Sequence, residues 1–226
     1  GFTKRLFSNL SKNKIKKTHL IGPINLIKFF LKKDITSFIQ IGSSAEYGEK
    51  KFPQKENDLC FPKSYYGLTK LTITNYLLYV SRIYSFPGNV LRFFQIYGTK
   101  QDKDKVIPHI IHGCFNNNRF DVSEGSQLRD FCYIDDVTNA IFLLLNKKNI
   151  KGEIINIGLG QGISIKKLVS KIKKKFGTGK PVFGKIKFHK YENMKLIPDI
   201  KKAKKLLNWY PKVKLDEGLK KIIQYL

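Results

Sequence analysis

Short apolar runs alternate along the chain with longer stretches in which apolar residues recur every three or four positions. The short runs predict buried strands, and the longer stretches predict amphipathic helices. Strand and helix patterns follow one another through most of the chain, which favours a parallel sheet with helices on both faces. The predicted strands are 36–43, 89–96, 120–123, 153–157 and a β-like stretch at 181–189; the predicted helices are 18–33, 64–84, 105–116, 135–145, 164–176, 200–207 and 215–226.

The C-terminal part of the chain differs from the rest, because it carries one β-like stretch followed by two lysine-rich helices. This change predicts a smaller C-terminal lobe. A doubly wound sheet binds its ligand at the carboxyl ends of its strands. Residues at the ends of predicted strands, such as Ser43, Gln95 and Gly158, are therefore candidates for a binding site.

The net charge of +26 raises the question of a nucleic-acid partner. Only five of the 43 basic residues are Arg, the residue whose planar fork suits phosphates and bases, and Lys is spread over almost every segment. Together with the many Ile, Asn, Phe and Tyr residues, this indicates the codon bias of an AT-rich genome, and no nucleic acid is expected as a partner. A lysine-rich nucleic-acid-binding module remains the alternative, which a steep salt dependence of DNA binding would favour.

The sequence shows no run of about 18 apolar residues, so no membrane-spanning helix is expected. Its first residues carry no apolar signal segment. Cys60, Cys114 and Cys132 are odd in number and widely spaced, which predicts reduced thiols in the cytoplasm, with neither a disulfide framework nor a metal site.

The first candidate for chemistry is the pair Tyr66 and Lys70, at i and i+4 of a helix that Ser64 is expected to cap. A phenol has an ordinary pKa near 10 and is a poor acid–base at neutral pH. A fixed ammonium nearby favours the phenolate and lowers that pKa. A solvated helix face is the more common explanation of such a pair taken alone.

The second candidate is Ser43, which ends a predicted strand upstream of this helix. A hydroxyl at the carboxyl end of a strand can donate to a substrate oxygen beside the tyrosine. The alternative is that Ser43 and Ser44 only close a turn. A strand-end serine, a capped helix and a Tyr/Lys face together indicate an active site.

With these motifs the chain resembles the extended short-chain dehydrogenases/reductases, the nucleotide-sugar epimerase/dehydratase family. That family carries S/T-x-x-x-Y-G and then P-x-S-x-Y-x-x-x-K, matched here by 43–48 (SSAEYG) and 62–70 (PKSYYGLTK). The resemblance continues in register to the C-terminus. Further matching blocks are 91–98 (LRFFQIYG), 125–137 (GSQLRDFCYIDDV), 156–158 (NIG) with 164–165 (SI), and 198–211, which ends in LNWYP.

The resemblance implies a role for each residue of the first two motifs. Ser43 is expected to hydrogen-bond the sugar oxygen that undergoes hydride chemistry, and Tyr66 to donate or accept the proton. Lys70 is expected to lower the pKa of Tyr66 and to hold the nicotinamide ribose. The cofactor is expected to be NAD or NADP, contacted by Ile41, Tyr66 and Lys70.

The resemblance also implies a substrate site for a nucleotide-diphosphate sugar. Ser44, Gln95 and Arg129 are the expected contacts, with Arg129 on the diphosphate, where its bidentate fork fits. An ion pair with Asp130 or Asp135 is the structural alternative for Arg129. Gln95 stands where the family has Asn, which leaves its role open.

The fold that the resemblance implies is a Rossmann-like doubly wound α/β sheet that lacks its first β-α-β-α-β segment, roughly 65–75 residues with the Gly-rich cofactor turn. Residues 1–100, joined by 125–157, are expected to form the remainder of the dinucleotide-binding domain. Residues 101–124 and 158–226 are expected to form the substrate lobe. We therefore expect this fragment to be inactive, and the full-length protein to be a cytoplasmic homodimer.

The residues after Ser43 bear on the type of reaction. Family 4,6-dehydratases carry an acid there, whereas this chain has Ser44 and Ala45, and Glu46 stands where the family usually has an apolar residue. This pattern favours a reductase or epimerase. The motif at 42–48 is most similar to that of reductases of 4-keto-6-deoxy sugars. A 4,6-dehydratase and a remnant with the fold but no activity are the alternatives.

Overall fold

The computed structural model describes residues 9–188 and 192–226, so His189, the end of the predicted β-like stretch, and the N-terminal residues 1–8 lie outside the described residues. The helices are α1 (Asn9–Lys16), α2 (Gly22–Phe30), α3 (Tyr65–Ile83), α4 (Val106–Phe115), α5 (Ile134–Leu145), α6 (Ile165–Phe176), α7 (Lys201–Leu207) and α8 (Leu215–Ile223), with a π-helical turn at Lys17–Ile21 and a 3-10 turn at Ser44–Glu46. The strands are β1 (Phe38–Ser43), β2 (Gly88–Phe93), β3 (Gln95–Tyr97), β4 (Arg119–Asp121), β5 (Leu128–Tyr133), β6 (Ile154–Ile157), β7 (Gly162–Ser164), β8 (Lys180–Val182) and β9 (Lys195–Leu196).

A parallel sheet in the order β1-β2-β6 lies between two layers of helices. Successive side chains of a strand point to opposite faces. In β2, Val90 accordingly packs on one side against α2 and α3, and Leu91 packs on the other side against α5 and α7. The doubly wound α/β architecture expected from the sequence is therefore confirmed.

A second group of strands adjoins this sheet. β5 pairs in parallel with β3 and β9 and antiparallel with β7, and β4 pairs with β8. A third apolar core, formed mainly by α4, α6 and α8, packs against the strands β3 and β5. The assignment of residues 101–124 and 158–226 to a substrate lobe stays a prediction.

Several predicted boundaries were wrong for reasons of tertiary structure. The strand expected at 89–96 is two strands, because Phe94 donates its N–H to Ile157 O (3.2 Å) and β3 then turns to pair with β5. The helix expected at 18–33 includes a π-helical turn and ends at Phe30. Three strands, β5, β7 and β9, were not predicted, since they are short or carry polar residues.

Across residues 9–188 and 192–226, no helix combines the length and the apolar character needed to cross a lipid bilayer.

Candidate functional site

The site begins where β1 ends, in a turn that two side chains close reciprocally. Ser43 is the N-cap of the 3-10 turn, and its Oγ accepts from Ala45 N (3.2 Å). The Oε1 atom of Glu46 accepts in turn from Ser43 N (2.7 Å), which completes a capping box. Ser43 thus closes a turn, which was the structural alternative to a catalytic role. The same turn fixes the position of its hydroxyl.

Helix α3 begins beside this turn. Ser64 caps it as predicted, accepting from Gly67 N at 3.0 Å. A Cβ on Gly67 would lie only 2.4 Å from Ala45 O, so a glycine is required for the turn and the helix to approach this closely. This close packing brings the first turn of α3, with Tyr66, next to Ser43.

Tyr66 is half-buried and faces groups from three elements. Its ring packs edge-on against His19 of the π-helical turn, with ring centroids 5.2 Å apart. Burial raises the pKa of the Tyr66 phenol, a hydrogen bond with Ser43 opposes the rise, and the Glu46 carboxylate adds to it. Ser43 and Tyr66 are therefore neighbours at the end of β1.

The expected effect of Lys70 on the pKa of Tyr66 is not found. Lys70 Nζ lies 5.8 Å from the centre of the Tyr66 ring and donates instead to Ile41 O at 2.8 Å. Because burial outweighs the other influences, the pKa of Tyr66 is raised, where the sequence predicted that it would be lowered. Burial also lowers the pKa of Lys70 itself, and the Glu46 carboxylate opposes that change.

The residues expected to bind the diphosphate and sugar come from other elements, except Ser44, which is buried in the 3-10 turn. Gln95 is exposed on β3, opposite Phe131 of β5. Arg129 of β5 is buried, and its Nη2 forms an ion pair with Glu192. The partner is thus neither Asp130 nor Asp135, because it comes from a segment 63 positions away.

Asp130 instead holds the loop after β6. Its two carboxylate oxygens accept from Leu159 N (2.7 Å) and Gln161 N (2.8 Å). A Cβ on Gly158 would lie 2.7 Å from Asp130 Oδ1, so this glycine is needed for the close approach. Burial raises the pKa of Asp130 to about 7, although these backbone N–H groups lower it.

Three residues of the site were missed from the sequence. His19 lies against Tyr66, and Glu46 forms a buried ion pair with Arg92 of β2 at 2.8 Å. The signal for Glu46 was its position in a slot that is usually apolar. Nothing in the sequence marked His19 as a site residue, apart from its place on a predicted helix. Arg92 lies in the block 91–98 that matches the family, but nothing there marked it as a partner of Glu46.

Comparison with known proteins agrees with this architecture. A model of the NAD dependent epimerase/dehydratase family matches residues 6–158. The UDP-glucose 4-epimerase from Thermotoga maritima, solved with UDP-glucose, has a TM-score of 0.88 and 32% sequence identity, covering 95% of this chain and 71% of that one. The UDP-glucuronic acid 4-epimerase from Bacillus cereus, in complex with UDP-glucuronic acid and NAD, has a TM-score of 0.87 and 31% identity, covering 93% and 67%.

A reductase is also among the relatives. The dTDP-4-dehydro-6-deoxyglucose reductase of Escherichia coli is 31% identical over 182 residues, which are 79% of this chain and 57% of that protein. Across four such curated relatives, the chain spans 57% to 68% of their length.

Proposed function

Because the chain belongs to the NAD-dependent epimerase/dehydratase family, we propose that the whole protein reduces or epimerises a nucleotide-diphosphate sugar with NAD or NADP. The observation that carries this proposal is the convergence of Ser43, Tyr66 and Lys70 at the carboxyl end of β1. The substrates named for the similar T. maritima and B. cereus epimerases, UDP-glucose and UDP-glucuronic acid, support a nucleotide sugar as the substrate class.

In the proposed reaction, Ser43 hydrogen-bonds the sugar oxygen at which oxidation or reduction takes place. Tyr66 donates a proton to that oxygen when a ketone is reduced, and accepts the proton when the hydroxyl is oxidised. Because burial raises the pKa of Tyr66, the phenol stays protonated at neutral pH. Tyr66 therefore carries the proton that it donates when a ketone is reduced.

The residues at this strand end fit a nicotinamide cofactor. The Lys70 ammonium, held on Ile41 O, and the Tyr66 phenol are the hydrogen-bonding groups that a nicotinamide ribose requires. When bound, the nicotinamide ring supplies the hydride exchange at the sugar carbon. We propose that Lys70 holds the ribose, and that Ile41 and Tyr66 complete this side of the cofactor site.

The proposed substrate side includes Arg129, with Ser44 and Gln95 near the sugar. Arg129 binds the diphosphate in exchange for Glu192, since the guanidinium cannot satisfy both anions with the same N–H groups. We propose a 4-keto-6-deoxy hexose as the sugar. The similarity to the E. coli reductase of a dTDP-linked 4-dehydro-6-deoxy sugar supports this choice.

A 4,6-dehydratase is disfavoured by the surroundings of Glu46. Eliminating water requires a carboxylate that reaches the sugar carbons beside the ketone. Glu46 is 0% exposed, and its carboxylate accepts from Ser43 N and Arg92 inside the protein. It is therefore not available as an acid or base for the substrate.

The 226 residues contain no G-x-x-G-x-x-G turn, the element that cradles a dinucleotide pyrophosphate in Rossmann folds. We propose that these residues alone bind NAD(P) weakly and do not turn over substrate. For the whole protein, we propose a cytoplasmic homodimer. The apolar side chains that α2 and α3 expose, including Leu26, Phe29, Tyr79 and Ile83, support a self-association surface.

The test is an assay of the purified whole protein with two kinds of substrate. Reduction of a dTDP-linked 4-keto-6-deoxy hexose is followed by oxidation of NADH or NADPH, and interconversion of UDP-glucose and UDP-galactose by NMR. Turnover in either assay supports the proposal, and the first is the expected one. Absence of both activities in a folded protein that binds NAD(P) would refute it.

A further inference from the structure

Glu46 is a fully buried carboxylate with hydrogen-bond donors on three elements of the site. Its Oε1 accepts from Ser43 N at 2.7 Å, at the end of β1. Its Oε2 accepts from Thr74 Oγ1 of α3 at 3.0 Å, and from Arg92 Nε (3.1 Å) and Nη2 (2.8 Å) of β2. One side chain therefore joins the catalytic strand end, the catalytic helix and the neighbouring strand.

The contact with α3 lies on the face that carries the proposed catalytic residues. Tyr66, Lys70 and Thr74 follow one another at intervals of four along α3, so their side chains share one side of the helix. Holding Thr74 against Glu46 therefore fixes the distance between this face and the Ser43 turn. The close packing of Gly67 on Ala45 fixes the same two elements about two turns earlier.

The surrounding residues are matched to this carboxylate. A Cβ on Gly42 would lie 2.8 Å from Glu46 Oε1, so glycine at that position leaves room for the carboxylate to fold back under β1. The guanidinium of Arg92 also stacks on the ring of Tyr47, at 4.4 Å from its centroid. A buried ion pair is weak evidence for stability, because apolar residues of similar volume often serve as well. The buried charges at this position therefore call for a role other than stability.

We propose that Glu46 is a positioning residue for catalysis: it locks Ser43 to the helix face that carries Tyr66 and Lys70. This inference rests on the proposed function, because it assigns the chemistry to those three residues. Glu46 does not itself touch the substrate, since its carboxylate is enclosed by its protein partners.

The charge of Glu46 also acts on its neighbours. The carboxylate adds to the rise in the pKa of Tyr66 and opposes the fall in the pKa of Lys70. Among residues 9–188 and 192–226, the other titratable or charged groups around this cluster include His19 from the π-helical turn, Arg92 from β2, and Tyr47 and Cys60 next to Arg92. Neutralising Glu46 removes an anion that raises the pKa of Tyr66, and it leaves the Arg92 cation without this partner. Both changes lower the pKa of Tyr66.

The test compares variants of the whole protein. Glu46→Gln keeps the volume and an oxygen for Ser43 N, but removes the charge. The double variant Glu46→Met with Arg92→Met removes both charges, so that no buried cation is left unpaired and folding is preserved. Asp136→Asn is the matched control, because Asp136 is another buried carboxylate that accepts two backbone N–H groups, from Lys212 and Val213 at 2.9 Å each, away from Ser43.

The measured quantities are kcat, KM for the nucleotide sugar, the pH dependence of kcat, and two that need no activity. These two are hydrogen exchange at the Ser43 amide and the titration of Tyr66 by NMR of labelled tyrosine. We expect both Glu46 variants to lower kcat about 10- to 100-fold with KM little changed, because misplacement of reacting groups has effects of this size. In Glu46→Gln, the Tyr66 titration and the pH profile shift to lower pH. In the double variant, exchange at Ser43 rises.

Asp136→Asn should lower thermal stability and change none of these quantities. If the Glu46 variants change kcat, Ser43 exchange and the Tyr66 titration no more than Asp136→Asn does, Glu46 has only a structural role. If the whole protein has no activity on nucleotide sugars, the proposed function fails, and Ser43 exchange and the Tyr66 titration still decide whether Glu46 positions these groups.

Discussion

The Nζ atom of Lys70 lies 2.8 Å from the carbonyl oxygen of Ile41, so the helix that carries the proposed acid is tied to the strand that ends in Ser43. Both residues are distant from each other in sequence, and the bond places the buried ammonium at the strand end. Burial lowers the pKa of this amine, while the carboxylate of Glu46 favours its charged form. Lys70 is therefore held in place before any ligand binds.

Replacing Lys70 with Met removes this ammonium and keeps most of the side-chain volume. We expect Lys70→Met in the whole protein to lower kcat by about 100-fold or more and to weaken NAD(P) binding, because the ribose loses its cationic partner. Steady-state kinetics and calorimetry with NAD(P) measure the two effects. The exposed Lys174→Met on α6 is the control. Equal behaviour of the two variants would show that Lys70 holds no cofactor.

The two adjacent tyrosines at the start of α3 provide a second comparison. Tyr66 lies against Ser43, whereas Tyr65, about 100° away on the helix, is 37% exposed. We expect Tyr66→Phe to lower kcat about 10²–10⁴-fold with nearly unchanged affinity for the nucleotide sugar, since it removes only the proton relay. Tyr65→Phe should have much less effect. Equal losses in kcat would mean that the acid has been assigned wrongly.

The proposed catalytic cluster could be recognised in the sequence because the spacing of its residues is local. Tyr66 and Lys70 share a helix face, and Ser43 ends an apolar strand, so both signals are contained in short segments. The ion pairs could not be predicted, because their partners are brought together by the fold: Glu46 and Arg92 are 46 positions apart, and Arg129 and Glu192 are 63 apart. The direction of the Tyr66 pKa was wrong for the same reason, since burial depends on packing.

The sequence also did not predict which apolar side chains of α3 are exposed. The apolar pattern marked both Leu77 and Ile83 as candidates for burial. Leu77 is fully buried against β2, whereas Ile83 is 57% exposed. A pattern of apolar residues does not distinguish a face covered by the chain itself from one left open, and we therefore propose that a second copy covers it.

The third prediction concerns pH and the loop held by Asp130. Burial raises the pKa of this carboxyl from 3.8 to about 7, so the folded protein retains a proton that the unfolded chain releases. The resulting stability is fully present below the ordinary pKa and is lost as the pH rises through the folded value. We expect the free energy of unfolding to fall between pH 3.8 and about 7 by a contribution that Asp130→Asn removes.

Urea denaturation across this pH range measures the effect. Asp135→Asn is the control, because Asp135 is an exposed carboxylate on the next helix, paired with Lys221 at 3.7 Å. That variant should keep the pH dependence of the wild type. An Asp130→Asn protein with the same slope as the wild type would show that Asp130 is ionised throughout.

The fourth prediction concerns the cofactor. In Rossmann folds, the Gly-rich turn and the helix N-terminus hold the pyrophosphate of the dinucleotide. The 226 residues contain the proposed nicotinamide contacts Ile41, Tyr66 and Lys70 but no such turn. We expect calorimetry to find only weak binding of NAD(P) to these residues alone. An affinity in the micromolar range or tighter would contradict this view of the site.

The last prediction concerns the type of reaction. Eliminating water from a sugar requires a base at the carbon next to the ketone and an acid for the leaving hydroxyl. In the proposed reaction Tyr66 is occupied with the hydride step, so a dehydratase would need a further carboxylate beside it. Ser44 has no useful pKa, Ala45 has no acid, and the Glu46 carboxylate is enclosed by Ser43, Thr74 and Arg92.

We therefore expect the whole protein to reduce or epimerise nucleotide sugars and not to dehydrate nucleotide-linked glucose or mannose. Incubation of these hexoses with the protein and NAD, followed by NMR, tests whether the 4-keto-6-deoxy product forms. Steady accumulation of that product would require a second acid near Tyr66.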